Sequence, residues 1–577
     1  MPFRSLTSIA ATLGCSLALF ACSSNNAGTP APDAGSGGSP PATGGTPANT
    51  GGKTSTGGAS STGGVSGSGG TTGSGGVPDA SASGGTTSSG GTTSSGGTTS
   101  SGGSKDAGPD SGDAGDPCAN FRCQQPYPTV EYPSANMHTD SKALLGKILF
   151  WDEQMGQLDN MACGTCHRIQ SGGSDSRTND PAAHLPGPNG VFETEPDITS
   201  DDIRGAQGVP KCNHDGSLTT PGDSTVQVTT RKPPTYLDAM FAGQVFWDGH
   251  AGYCKNGEGP GGCFYDPDLA TTAAPLIVGT FDQTTGRIVG AALEDQASHP
   301  PIGTAEMACT GRTWADIEAK LSQTTLKPLA KAKAPPQDMQ TFITNNGSSY
   351  PQMFQAVFAS IDKVKTTDPD NVINARRILF AIATHERRLT SNLTPWDCWT
   401  QADKAPPECA SVPPITPAQI HGWTVFVGPG HCASCHSPPL FTDNKFHFIG
   451  FHEPSWDTGL QITTGQSTDV AKFKTANLRN VGLREQYGLL HEGEGPGHDL
   501  NTIMTLYISG GRRNTADIVG LIDPIIVPLS LTQTDLTDIL DFMRNALTDV
   551  RVKKGCPPFD RPYLSTETPP STPPTCP

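Results

Sequence analysis

Beyond Phe20 the chain lacks any apolar run approaching the ~18 residues that a permanent membrane-spanning helix needs. It is also short of positive charge: 38 Lys and Arg stand against 55 Asp and Glu, a formal net charge of −17. That balance argues against nucleic acid as a partner, because binding to phosphates is driven by clustered basic side chains. Between Ser23 and Gly115 large apolar residues are nearly missing. Gly, Ser, Thr, Ala and Pro fill the stretch, with a near-repeat of Gly-Gly-Thr-Thr-Ser-Ser between Gly84 and Ser101. Such a segment cannot bury enough surface to offset its conformational entropy, so 23–115 is expected to be a disordered tether. The hydrophobic fraction of 34% therefore understates the foldable part, which runs from about Asp116 to Pro577 and is long enough for two or three domains.

What precedes the tether reads as an export signal. Arg4 supplies a short positive region, and an apolar run from Leu13 to Phe20 follows. Leu19-Phe20-Ala21-Cys22 then has the form of a bacterial lipobox, which predicts a lipoprotein signal over 1–22 and lipidation of Cys22. The alternative is an ordinary cleaved signal peptide. The expected location is the cell envelope, with a lipid anchor in the outer membrane as the sole membrane contact and the body facing the periplasm or exterior.

Two segments carry the chemistry: Cys163-Gly164-Thr165-Cys166-His167 and Cys432-Ala433-Ser434-Cys435-His436. In an exported protein Cys-X-X-Cys-His marks covalent attachment of c-type haem, the thiols forming thioethers and the His binding iron. A zinc site would need its ligands gathered into one tetrahedron, and a thioredoxin-like pair would sit beside a βαβ pattern. Neither accounts for a His directly after both motifs. Two covalently bound haem c groups are expected.

The chain has 16 cysteines. Cys15 lies in the signal, Cys22 is the lipid site and four belong to the motifs. Ten remain, and an even remainder in an oxidising compartment suggests disulfides. Close spacing favours Cys118–Cys123, Cys254–Cys263, Cys398–Cys409 and Cys556–Cys576, which leaves Cys212 with Cys309; spacing does not fix the connectivity.

Few segments read as strands. Helical spacing appears at Ser141–Met155, Asn371–Arg388, Thr416–Phe426 and Leu531–Leu547, the last opening on a capping-box pair, Thr532 and Asp535. The expected architecture is mainly α: two cytochrome c-like haem domains with long loop insertions behind the Gly/Ser/Thr-rich tether. The boundaries expected are 116–410 for the first haem domain and 411–577 for the second.

Several segments together resemble the bacterial di-haem cytochrome c peroxidase/MauG family. They are Leu145-Gly146-Lys147-Ile148-Leu149-Phe150-Trp151-Asp152 before the first motif, and Phe246-Trp247-Asp248-Gly249-His250. Leu293-Glu294-Asp295-Gln296 with Pro301-Ile302 and Glu306-Met307 matches the family's peroxidatic pocket. Phe473-Lys474, Leu478-Arg479-Asn480 and His491-Glu492-Gly493 match the stretch after the second haem motif.

The resemblance implies a reactive first haem, with Gln296 orienting hydrogen peroxide and Glu306 moving its proton. Ten residues apart and without that motif, the two would read as surface residues. It implies that Trp247 lies between the haems and relays electrons, a role compatible with its default as a core residue. At the second haem the register from His491 points to Tyr507 as sixth iron ligand, where peroxidases of the family have Met and MauG has Tyr. Met504 is the rival. A mobile His that closes the first iron would be His184, with His214 as the alternative. Asp238 matches a position that holds calcium between the haem domains, a hard ion suited to carboxylate and carbonyl oxygen.

The chain departs from the family in the spacing between its motifs, in an insertion between Trp247 and Gln296, and in His250 where Arg is usual. The resemblance implies a di-haem peroxidase that reduces hydrogen peroxide to water with electrons from a small cytochrome c or cupredoxin. The alternative is a MauG-like enzyme that oxidises side chains of a protein substrate. A reading from another class is a non-catalytic electron-transfer cytochrome.

Overall fold

The computed structural model describes residues 126–192, 201–269, 273–284, 286–359, 372–401, 404–493, 499–511 and 520–577. The lipobox, the tether and the Cys118–Cys123 pairing lie outside these residues. Within them the chain is mainly helical, with four two-stranded antiparallel sheets. No helix of the described residues is long and apolar enough to cross a membrane.

The first hydrophobic core is built on the Asp140–Trp151 helix lying along the Ala375–Glu386 helix. Their approach is set by a glycine: a Cβ on Gly146 would fall 1.8 Å from the Ala381 carbonyl oxygen. Thr139 caps the first helix, accepting from the Lys142 amide at 3.2 Å. This helix is buried nearly all round rather than along one apolar stripe. The Lys147 ammonium therefore needs partners, and finds Asp338 at 2.9 Å and Asp560 at 3.0 Å.

The expected helix over 141–155 is shorter than its pattern. Asp152 ends it, because its carboxylate accepts from the Gln154 amide at 2.9 Å, the Leu329 amide at 2.7 Å and the Tyr350 hydroxyl at 2.5 Å. A 3-10 turn, Glu153–Met155, follows. The helix expected over 371–388 begins at Ala375, where Asn374 caps it by accepting from the Arg377 amide.

The second core joins the Pro417–Val427 helix to the Gln533–Asp541 helix, and a glycine again sets the crossing. A Cβ on Gly422 would fall 2.1 Å from the Asp538 carbonyl oxygen. The Thr532–Asp535 capping box forms as its sequence predicts. The helix does not run on to Leu547 in one geometry. It widens to a π turn at Phe542–Ala546, as buried Phe542 enters a ring cluster with Trp423, Phe426 and Phe441. Arg479 spans this core, held by both oxygens of Asp397 at 2.7 and 2.8 Å.

The chain then returns to the first core with Val552, Phe559 and Leu564. Disulfides join Cys212–Cys309, Cys254–Cys263, Cys398–Cys409 and Cys556–Cys576.

Candidate active site

The first Cys-X-X-Cys-His motif forms a single helical turn, Cys163–Cys166, closed by the Thr165 hydroxyl accepting from the Ala162 amide at 2.9 Å. Gly164 is needed there: a Cβ would sit 2.2 Å from the ring of Trp151. His167 Nδ1 lies 3.2 Å from the Gly173 carbonyl oxygen. A carbonyl accepts and never donates, so Nδ1 carries the proton and Nε2 keeps its lone pair. The imidazole meets Tyr236 edge-on at 5.2 Å, and Tyr236 stacks on Phe150 at 5.0 Å.

The second motif repeats the arrangement. Cys432 opens a 3-10 turn, Cys432–Ser434, entered through His431, which is left-handed at φ 53, and Cys435 caps its end. His436 Nδ1 is 3.1 Å from the Phe441 carbonyl oxygen. Burial holds both imidazoles below the usual histidine range, so they are neutral, as iron ligands must be. Cys163, Cys166, Cys432 and Cys435 remain free thiols, while the other described cysteines are joined in disulfides. His167 and His436 line one continuous cavity. Free thiols at attachment spacing, oriented neutral imidazoles and a shared cavity fit two covalent haems.

The same cavity is lined by Trp247, Gln296, Tyr507 and Met504. Trp247 is fixed by its indole N–H, which donates to the Lys232 carbonyl at 2.7 Å. Its ring meets His491 at 6.3 Å. Gln296 rides on the Ala292–Ala297 helix, which is anchored by its neighbours. Glu294 pairs with both arms of Arg387 at 2.6 and 2.8 Å, and Asp295 accepts from the Gly252 amide at 2.8 Å.

Glu306 sits in a turn whose amide donates to the Gly303 carbonyl at 3.1 Å, while its own carbonyl accepts from the Val209 amide at 3.0 Å. Burial pushes its carboxyl up to about 7, and the His250 charge opposes that. Glu306 contributes electrostatically at Cys163 and Cys166, although it is not among the residues that line the cavity. His250 pairs with Asp248 at 2.6 Å and stacks on Phe246 at 4.1 Å.

Tyr507 and Met504 lie one turn apart on the Leu500–Ser509 helix. Burial, then the neighbouring Cys432 and Cys435, raises the Tyr507 phenol above its ordinary range. Its ring meets Phe451 at 4.8 Å.

Other expected residues are placed elsewhere. His184 lies in the hairpin of His184–Leu185 with Ile203–Arg204, off the cavity wall. His214 is exposed and pairs with Asp316 at 3.1 Å. Asp238 is buried, with both oxygens taken by protein donors: the Tyr127 hydroxyl, the Ser391 amide at 2.7 Å and Asn477 Nδ2 at 3.2 Å. Burial raises its carboxyl, against the Arg479 charge. This set makes a hydrogen-bonding hub and does not fit a calcium site.

Sequence reasoning passed over Glu386. It lines the cavity, one carboxylate oxygen has no hydrogen-bond partner, and burial pushes its carboxyl up to about 8. At the end of a helix beside Arg387 and Arg388 it reads as one half of a surface ion pair.

The family model for di-haem cytochrome c peroxidase matches residues 140–405. The methylamine utilization protein MauG of Methylophilus methylotrophus is 24% identical over 66% of this chain and 76% of its own length. That of Methylorubrum extorquens is 23% identical over 72% of this chain and 80% of its own. The crystal structure of a MauG-like protein associated with microbial copper homeostasis is 20% identical, covers 75% of this chain and 96% of that one, and has a TM-score of 0.48. Family model and relatives agree on one assignment: the chain is similar to MauG-like and di-haem cytochrome c peroxidase proteins, which supports oxidoreductase-type activity.

Proposed function

We propose that the chain is a MauG-like oxidoreductase that uses oxidising equivalents from hydrogen peroxide on a side chain of a partner protein. The observation that carries this is Tyr507, whose phenol stands on the cavity wall beside Cys432 and Cys435. A phenolic oxygen is a harder donor than the Met504 thioether and favours an oxidised centre. The MauG relatives support the same reading over simple peroxide turnover.

Haem held by Cys163, Cys166 and His167, and a second held by Cys432, Cys435 and His436, would supply peroxide activation and redox equivalents when bound. The chain's own residues set the protons and the path. Gln296 would orient peroxide through its amide. Glu306, titrating near neutrality, would take the first peroxide proton and return it to the departing oxygen as water forms. Trp247, held by Lys232 on the shared wall, would carry electrons between the motifs. The 116–410 and 411–577 portions would divide these tasks, on a body anchored in the envelope through Cys22.

The peroxidase reading uses the same residues and differs in the electron source, a small cytochrome c or cupredoxin; the Gln296–Glu306 pair suits it equally. A pure electron carrier needs no proton-moving carboxyl. The haem-loaded protein mixed with peroxide, followed by stopped-flow absorption and EPR, separates these. A long-lived oxidised state with poor turnover of a reduced small cytochrome supports the proposal. Rapid donor oxidation overturns it in favour of the peroxidase, and peroxide-inert haems overturn both.

A further inference from the structure

His452, His491 and Glu492 come together from two loops that flank the Phe473–Lys474 strand, 39 or more residues apart in the chain. Their ligand atoms all lie within 4.8 Å of one another. The three are 4%, 5% and 5% exposed, and all face the cavity. Nothing in the proposed reaction uses His452.

Both imidazoles are held with nitrogen to spare. His452 Nδ1 lies 3.0 Å from the Glu453 carbonyl oxygen, so it bears the proton and Nε2 keeps a lone pair. Nε2 of His452 and Nε2 of His491 are buried without a hydrogen-bond partner. His491 Nε2 is 3.3 Å from Glu492 Oε1, near enough for electrostatic attraction but not aligned as a hydrogen bond. Leaving two buried ring nitrogens unsatisfied costs free energy, and such pairs call for an occupant.

Phe473 packs against both imidazoles: it stacks on His491 at 3.6 Å and 17°, and meets His452 at 5.1 Å. The two imidazoles stand 4.8 Å apart at 68°, so their edges converge rather than stack. Asp457 lies 4.0 Å from His491 Nε2 and holds Arg231 through both oxygens at 2.6 and 2.7 Å. That pairing neutralises the nearby guanidinium and leaves Asp457 as an outer carboxylate behind the imidazole.

We propose that His452, His491 and Glu492 bind one divalent first-row metal ion of the zinc class. Two imidazoles and one carboxylate suit borderline ions and not magnesium or calcium, which prefer all-oxygen shells. Tetrahedral zinc with bonds of about 2.0–2.2 Å sets its ligands about 3.4 Å apart, so closure takes about an ångström of side-chain rotation. The three ligands belong to neither Cys-X-X-Cys-His motif, although they line the same cavity, and the proposal is independent of which reaction the haems perform.

The test uses the haem-loaded full chain, stripped with a chelator and titrated with zinc sulfate by calorimetry, with zinc and iron counted by mass spectrometry. One zinc per chain beyond the haem iron is expected, with a zinc-dependent rise in thermal midpoint. H452A and E492Q should each weaken zinc binding by about tenfold or more, with haem absorption and circular dichroism unchanged. X-ray absorption at the zinc edge should show two imidazole ligands, a measurement that needs no variant. Magnesium should produce no shift. No zinc uptake, equal uptake in H452A, or an equal effect of magnesium overturns the proposal; in the first case the ring nitrogens serve haem carboxylates or water.

Discussion

A Cβ placed on Gly303 falls 2.3 Å from Glu306 Oε2. Gly303 has φ −75, which any residue adopts, so its backbone does not call for glycine. The missing side chain is what leaves room for the Glu306 carboxylate.

G303A should therefore displace that carboxylate while the turn persists. Because the obstacle is the end of a flexible side chain, stability should change by less than about 1 kcal/mol. Peroxide-dependent activity should fall by about tenfold to a hundredfold, the scale of an ångström's misplacement. A denaturant melt beside steady-state kinetics checks both halves.

The Glu306 carboxyl is raised by burial to about 7, so below pH 6 it is mainly protonated and above pH 8 mainly ionised. As a base it must be ionised, and the reaction with peroxide should rise through about pH 7 to a plateau. The same shift means that the folded chain holds a proton the unfolded chain releases, so this group's contribution to stability declines as pH rises from about 4.5 to 7. E306Q should slow the peroxide reaction by about 10²–10⁴-fold and flatten that limb of the pH profile. An unchanged profile in E306Q removes Glu306 from the proton path.

Tyr507 separates the two family reactions. Y507M should raise the potential of the second haem, shorten the life of the peroxide-oxidised state and speed oxidation of a reduced small cytochrome by about tenfold or more, about 1.4 kcal/mol in barrier. Y507F retains the ring that meets Phe451 and removes the oxygen, so it should reproduce the spectral change without local unfolding. Redox titration with EPR reads both, and an unchanged second haem in both variants assigns Tyr507 a packing role.

The Cys212–Cys309 disulfide closes a stretch of 97 residues that includes Trp247 and Gln296. Cross-linking a long loop restricts the unfolded chain, so replacing both cysteines by Ala should cost about 2–5 kcal/mol. The loss should appear in reversible denaturant unfolding of the haem-loaded protein and be larger than for the nine-residue Cys254–Cys263 loop.

Much of the site is legible in the chain because its chemistry is local. Haem attachment needs two thiols and an imidazole at fixed spacing, so both candidate sites can be read from contiguous residues. The Thr532–Asp535 cap is equally local, and it forms. Helix ends were less legible: Asp152 stops its helix through Leu329 and Tyr350, partners far along the chain. Motif likeness brought Trp247, Gln296 and Tyr507 to one cavity but did not bring His184 there. It also could not reveal that Asp238 is saturated by Tyr127, Ser391 and Asn477.

The sequence by itself determined the two Cys-X-X-Cys-His motifs, the mainly helical character and the resemblance to di-haem peroxidases and MauG. Tertiary structure decided what depends on distant segments meeting: the common cavity, the raised Glu306 and Glu386 carboxyls, and the convergence of His452 with His491. The reason is physical. A carboxyl's proton affinity and a metal site's geometry follow from burial and neighbours, and those are set where helices close on Gly146 and Gly422, not by the residues themselves.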